Sequence, residues 1–439
     1  MIFYSLMRYI ANLPIIPRVY ASAKAAAAGH PLPPGDFVLL DPEERSDRTF
    51  LLQQSKRVGP VFKAIGGRRF LVCVVGLPVC RRFLQEHSDN VTPVTVELES
   101  LFPKGFLRAM KRADHKHYRK SLMQAIDSEV MTRDGVALRA FVREGLEAYA
   151  ITQQVGSSPP EVYIKTLNTI ASGLLINVFF GAPFGSEPFE ILMRMYDELG
   201  PNGLKSIIGK REKQIFEALR NYLLKLLEKH TNDDRQWLQQ SIMGRMHHQG
   251  ALDATSLGNL IYMVEMGRFD MYSLFRWMSK YAADRPEVID RISAEEQGKA
   301  PLADAFVLET LRMNQSERLM RVVNRNIMFD GHFIPKRSMV RLCLWESHKS
   351  SDSFPDPFLF NPDRFIMHTF NKDQFSPFGI DHHSCPFANI SIKMSSIFIS
   401  VLASGYTLES VADGPPVRAK HHWQPARQFS IRLKERGAV

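Results

Sequence analysis

The sequence predicts a mainly α-helical protein with small β-sheets (α+β), and three observations carry that reading. Apolar residues recur at helical spacing almost without interruption from His115 to about Lys299. The main strand-like runs lie at residues 61–75 and 319–344, each punctuated by a turn signal, Gly66-Gly67 and Asp330-Gly331, with short strands added in the tail. The chain of 439 residues is 45% hydrophobic, which supports a substantial core and excludes a disordered or fibrous protein.

Each element follows in turn. After the Pro-rich entry at residues 30–35, a short helix is expected over about 45–57. Residues 61–65 and 68–75 form a hairpin in which the Gly-Gly pair supplies the positive φ angles, and 77–87 return to helix. Residues 90–114 are irregular, the kind of segment that shapes a binding site; Val94, Val96, Leu98, Leu101 and Phe102 make it apolar. From His115 the helices run on, with breaks near 157–160, 181–185 and 201–203 that join helices and do not divide domains. The longest pattern covers 254–283, where Leu257, Leu260, Ile261, Val264, Met271, Leu274, Phe275 and Met278 make an apolar stripe. Glu265, Arg268 and Asp270 interrupt it beside Gly267, and charges there must be paired, exposed or functional. Residues 301–314 are helical, 319–344 strand-like, 353–375 a loop, and the tail short strands and turns.

The formal net charge of +10 asks for an acidic partner. Its Lys and Arg are dispersed and carry no nucleic-acid motif, so nucleic acid is not expected. Cys73, Cys80, Cys343 and Cys385 show neither metal-finger spacing nor a disulfide framework, which suits a reducing, cytoplasmic compartment. Residues 1–35 read as an N-terminal segment, broken by Arg8, Pro14, Pro17 and Arg18 and so at most peripheral to a membrane; 36–439 read as a single domain.

The most informative stretch begins at Phe375. Ile390, Lys393, Met394, Ile397, Phe398 and Val401 recur at helical spacing up to Gly405, with Pro386 tolerated in the first turn. Cys385 is then expected at a helix N-terminus beside His382 and His383, where the dipole and cationic neighbours favour thiolate. Such a thiolate is a nucleophile or a soft metal ligand; a buried cysteine near a turn is the plainer alternative.

Phe378-Gly379-Ile380-Asp381-His382-His383-Ser384-Cys385 resembles the cysteine loop of the cytochrome P450 superfamily. Phe378, His383 and Cys385 match its pattern, while Asp381 and Phe387 stand where that pattern has glycines. Asp tolerates a left-handed backbone, which makes the first change mild; the second glycine ordinarily lets the helix approach the porphyrin. Upstream, Glu309-x-x-Arg312 and Phe360-Asn361-Pro362-Asp363-Arg364-Phe365 come in the family's order.

The resemblance implies a cytochrome P450-like haem-thiolate fold, with haem b (iron protoporphyrin) bound through Cys385. Glu309, Arg312 and Arg364 would form a structural charge cluster, and His115, Arg119, Arg321 and His383 would hold the propionates, with Phe378 beside the ring. On the central helix the family's oxygen-activating motif falls on Met266-Gly267-Arg268-Phe269-Asp270. Gly267 is kept, Phe269 replaces the acid and Asp270 the threonine.

Three activities fit that departure: a monooxygenase in which Asp270 relays protons, a peroxide-using or hydroperoxide-rearranging enzyme in which Arg268 or Asp270 positions substrate, or a catalytically impaired haem-binding protein. A non-enzymatic helical interaction protein without haem is the reading from a different class. The expected substrate is an apolar small molecule, a secondary metabolite or lipid. A chain this short leaves no room for its own reductase, so electrons are expected from a separate donor of ferredoxin or reductase type, steered by cations such as Lys393, Arg119 and Lys120.

Overall fold

A computed structural model describes residues 15–437 apart from 41–43, 45–46, 67, 96–97, 127–134, 155–158, 201–207, 229–235, 296–300, 315–318 and 419–422. Val96, Gly67 and residues 1–14 of the expected N-terminal segment lie outside the described residues. The chain divides into two compact units, the first from Met1–Val94, Leu311–Phe360 and His368–Cys385, the second from Thr95–Thr310, Asn361–Met367 and Pro386–Val439.

The first unit is built on a sheet. Its strands are β1 (Val61–Gly66), β2 (Arg69–Val75), β3 (Val91–Pro93), β4 (Leu319–Val323), β5 (Ile327–Phe329), β6 (His332–Ile334) and β7 (Met339–Cys343). Five of them form one sheet in the order β1-β2-β7-β4-β3, and β5 pairs with β6. The β2–β7 pair is parallel, with Leu71 opposite Met339 and Val75 opposite Cys343; the other pairs are antiparallel. β2 reads Arg-Phe-Leu-Val-Cys-Val-Val because both its faces are covered. Val72 and Val74 join Val340, Leu342 and Phe83 in one core, while Leu71 and Cys73 join Leu51 and Phe62 in the other.

In the β1–β2 turn Arg68 has a positive φ of 64°, Gly66 is not among the positive-φ glycines, and Gly67 lies outside the described residues. Gly66 is needed for space, since a Cβ there would lie 2.9 Å from Leu71 Cδ2. Of the helix expected over about 45–57, residues Phe50–Val58 are helical, and residues 45–46 lie outside the described residues.

The second unit is helical. Pro160–Phe180 is apolar around nearly its whole circumference and buried accordingly, and it packs on the central helix Ala254–Asp284. Asp253 caps that central helix, its carboxylate accepting from Ser256 N at 2.7 Å. Ala388–Gly405 follows the cysteine loop and stacks Phe398 on Phe275 at 4.2 Å. Pro160–Phe180 and Ala388–Gly405 are both long and apolar enough to cross a bilayer, yet each is largely buried within this unit. Strands β8 (Tyr406–Ala412) and β11 (Ser430–Glu435) form a hairpin-like pair, tied to helix Gly135–Gln154 by the Tyr149 hydroxyl donating to Ile431 O at 2.7 Å; β9 (Val417–Arg418) pairs with β10 (Trp423–Gln424).

Candidate functional site

The first unit presents the cysteine. Ile380 is buried in the sheet core, and Arg81 Nη1 donates to its carbonyl at 2.9 Å, which anchors the loop from below. Above that anchor the chain closes on itself. Cys385 N donates to Phe378 O at 2.8 Å, and Ser384 N donates to Asp381 O at 3.0 Å. Gly379 supplies the left-handed backbone at φ 106°, where a Cβ would lie 3.1 Å from Ser384 Cα.

Asp381 therefore has no need of a left-handed backbone, contrary to the expectation for it. Its carboxylate accepts from His383 N at 2.9 Å and pairs with Arg321 Nη2 at 2.8 Å. Burial would push that carboxyl up, but Arg321 and then His383 outweigh it and hold the group below its usual range. The His382 and His383 rings lie 4.1 Å apart, and Phe378 is half-buried.

Cys385 is exposed, whereas Cys73, Cys80 and Cys343 are buried in the sheet unit. Burial pushes the Cys80 thiol up to about 12 and drives Cys343 well upward. The helix after the loop begins at Ala388, with Phe387 in the cap position, so Cys385 precedes the first turn by more than the sequence suggested. Pro386 and Phe387 take up a turn there.

Arg312 is fully buried and serves the loop behind the cysteine. Its guanidinium donates to the carbonyls of Pro357 at 2.7 Å, His348 at 3.1 Å and Leu359 at 3.3 Å, and lies over the Phe354 ring. Such a fan of donors fixes irregular backbone that has no ladder of its own.

In the second unit Glu309 does the equivalent work. Its Oε1 accepts from Asn361 N at 2.9 Å and pairs with Arg364 Nε at 3.2 Å, both side chains being buried. The expected Glu309–Arg364 link is thus present.

The central helix is buried along most of its length, but Met266 is 39% exposed and Asp270 is exposed as well. Four residues separate them, so both stand on one face. Gly267 lies beside that face, where a Cβ would come within 3.2 Å of Leu175. Arg268 points elsewhere. It is fully buried and holds Glu265 through two contacts, Nε–Oε2 at 2.9 Å and Nη2–Oε1 at 3.3 Å, while Nη2 also donates to Gly200 O at 2.8 Å. The structure therefore separates Arg268 from Asp270: one charge is satisfied inside the protein, the other is presented on an open face.

The irregular segment upstream is fastened to this same helix. Leu107 N donates to Asn259 Oδ1 at 2.8 Å, and Asn259 Nδ2 donates to Gly105 O at 3.1 Å. Phe106 meets the Tyr262 ring edge-on at 4.8 Å. Leu98 and Phe102 are buried, Phe102 stacking on Phe216 at 5.6 Å, so those two serve the core. Sequence reasoning overlooked Asn259, whose only signal was a polar residue inside an apolar helix.

Helix Arg112–Ala125 carries His115, which is buried, and Arg119, which is half-buried. Tyr118 from this helix donates its hydroxyl to Asp253 Oδ2 at 2.7 Å, fixing it to the start of the central helix.

Phe387 stands where the resembled pattern has glycine. Its φ is −101°, so the backbone there makes no demand for glycine, and its ring is buried 4.6 Å from that of Phe179. Replacing Phe387 by glycine, although it restores the pattern, should destabilise the apoprotein by about 3 kcal/mol or more, read by denaturant unfolding.

Comparison with known proteins agrees with this geometry. Residues 283–431 match the family described as Cytochrome P450. Abscisic acid 8'-hydroxylase 1 of Oryza sativa subsp. japonica is 24% identical over 440 residues, covering 89% of this chain and 88% of that protein. Cytochrome P450 2J5 of Mus musculus is 23% identical over 437 residues, covering 88% and 85%. Among solved structures, retinoic acid bound cyanobacterial CYP120A1 is similar with a TM-score of 0.71 at 17% identity, covering 93% of this chain and 100% of that one. With Cys385 exposed at the end of its turn, the family match, the relatives and the structural neighbours together support the cytochrome P450 superfamily, whose members are haem-iron monooxygenases.

Proposed function

We propose that residues 36–439 form a single catalytic domain that inserts one oxygen atom from dioxygen into an apolar small molecule, a secondary metabolite or lipid, with electrons from a separate donor protein. The observation that carries this is the exposure of Cys385 at the end of a hydrogen-bonded turn while the three other thiols are buried. That donor chemistry fits a haem iron, taken here to be haem b: a thiolate is the ligand such iron uses when it activates dioxygen.

Cys385 would hold the iron, Phe378 would contribute to the ring's site, and Arg321, His383, His115 and Arg119 would supply cations for its two carboxylates. Asp270 is the proton carrier. It is a carboxylate presented on the open face of an otherwise buried helix, next to Gly267, and it takes the place of an acid–alcohol pair. Arg268, held by Glu265 and Gly200, keeps that part of the helix in place and does not reach substrate. Relatives named for abscisic acid hydroxylation and a structural neighbour bound to retinoic acid support a small-molecule substrate. The protein is cytoplasmic with at most peripheral membrane contact; among the described residues, the two helices apolar enough to span a bilayer are packed in the second unit.

Asp270→Asn tests the assignment. Turnover with donor protein and dioxygen should fall about a hundredfold, the usual scale of a lost proton-transfer group, while haem content stays unchanged. An unchanged rate removes Asp270 from the reaction.

Replacement of the acid–alcohol pair by Phe269 and Asp270 favours a second reading, in which peroxide or a hydroperoxide is the oxidant. Turnover with peroxide alone that equals or exceeds the dioxygen route would select it.

A further inference from the structure

The ligand loop carries a buried charge pair. Arg321 and Asp381 have side chains 3% and 11% exposed and meet at 2.8 Å. Arg321 sits on β4, paired in register with Val340, and its Nη1 donates to Met320 O at 3.1 Å. Asp381 is fixed just as firmly, with Oδ1 on His383 N and its carbonyl on Ser384 N. It lies four residues before Cys385, in the turn closed by the Cys385–Phe378 bond. Two full charges are therefore held rigidly at the turn that ends at Cys385, and burial leaves them little screened by salt.

We infer that Asp381 is an internal counterion: it masks Arg321, so that this loop binds a dianionic haem more weakly, and holds its iron at a lower reduction potential, than the same loop without the carboxylate. The inference rests on the haem-thiolate reading above. Its logic is charge balance. With Asp381 present, the pair is neutral toward an incoming anion. Without it, an uncompensated cation would attract the ring's carboxylates and favour the electron-rich ferrous state.

Two substitutions move the charge in opposite directions. Asp381→Asn keeps the oxygen that accepts from His383 N and removes the charge; Arg321→Gln keeps Asp381 and removes the cation. Haem titrated into each apoprotein, followed by absorbance, and potentiometric titration of the loaded proteins give two readouts independent of activity. For Asp381→Asn the haem dissociation constant should fall about fivefold or more and the potential should move positive. Arg321→Gln should weaken haem binding and move the potential negative. Should one variant fail to fold, as circular dichroism would show, the sign of the other decides alone.

Wild-type protein that binds haem, with both variants at its potential or both shifted the same way, overturns the counterion role only. Wild-type protein that binds no haem overturns the haem-thiolate reading as well.

Discussion

Replacing Cys385 by alanine is expected to reduce substrate turnover below detection while leaving the apoprotein's unfolding midpoint unchanged. The side chain is exposed, so its loss opens no cavity, and a substitution of that kind ordinarily changes stability by less than about 0.5 kcal/mol. No other thiol can take its place. Cys80 and Cys343 are buried and held as thiols by that burial, and Cys73 is covered by the same sheet core. The turn that presents residue 385 depends on its main-chain N–H and on Gly379, neither of which the substitution touches. Product formation with donor protein, reductant and dioxygen, measured beside thermal unfolding of the apoprotein, checks both halves. Turnover near the wild-type rate would show that the sulfur has no part in the reaction.

The second large effect is structural. Glu309→Ala should destabilise the protein by about 3–5 kcal/mol, because it strips a buried guanidinium of its carboxylate. Glu309 accepts from Asn361 N and Arg364 Nε through one oxygen, so the backbone at residue 361 loses its anchor together with the ion pair. Arg364→Ala should cost a similar amount, and the double variant less than the sum, since both remove one interaction. Denaturant unfolding of the three variants measures this coupling. A loss below about 1 kcal/mol would make the pair equivalent to an exposed salt bridge.

Much of this architecture was legible in the sequence because long helices write a strong periodic signal. The central helix and Ala388–Gly405 were found from their apolar spacing, and the β1–β2 pair from its two runs and tight turn. What failed was local or long-range. Strand β3 is three residues long and merged into an irregular run, and the parallel β2–β7 pairing joins segments that nothing in their residues links.

The site divided along the same line. The Glu309–Arg364 pair was legible from the order of its motifs along the chain. The Arg321–Asp381 pair was not, because sixty residues separate its members and each had its own explanation alone. Arg268 was grouped with Asp270 because two neighbouring charges in an apolar helix look alike on paper; only the fold shows that they stand on different faces. The pairing signal was Glu265 three residues earlier. Phe387 was read against a glycine pattern, whereas its ring had a partner in Phe179, which the linear sequence conceals.

The most direct test of the account is the absorption spectrum of the haem-loaded wild-type protein, reduced under carbon monoxide. Coordination by Cys385 predicts a Soret band at the thiolate-ligated position, lost in Cys385→Ala. A band at the imidazole-ligated position, or a protein that stays colourless after haem is supplied, would contradict it.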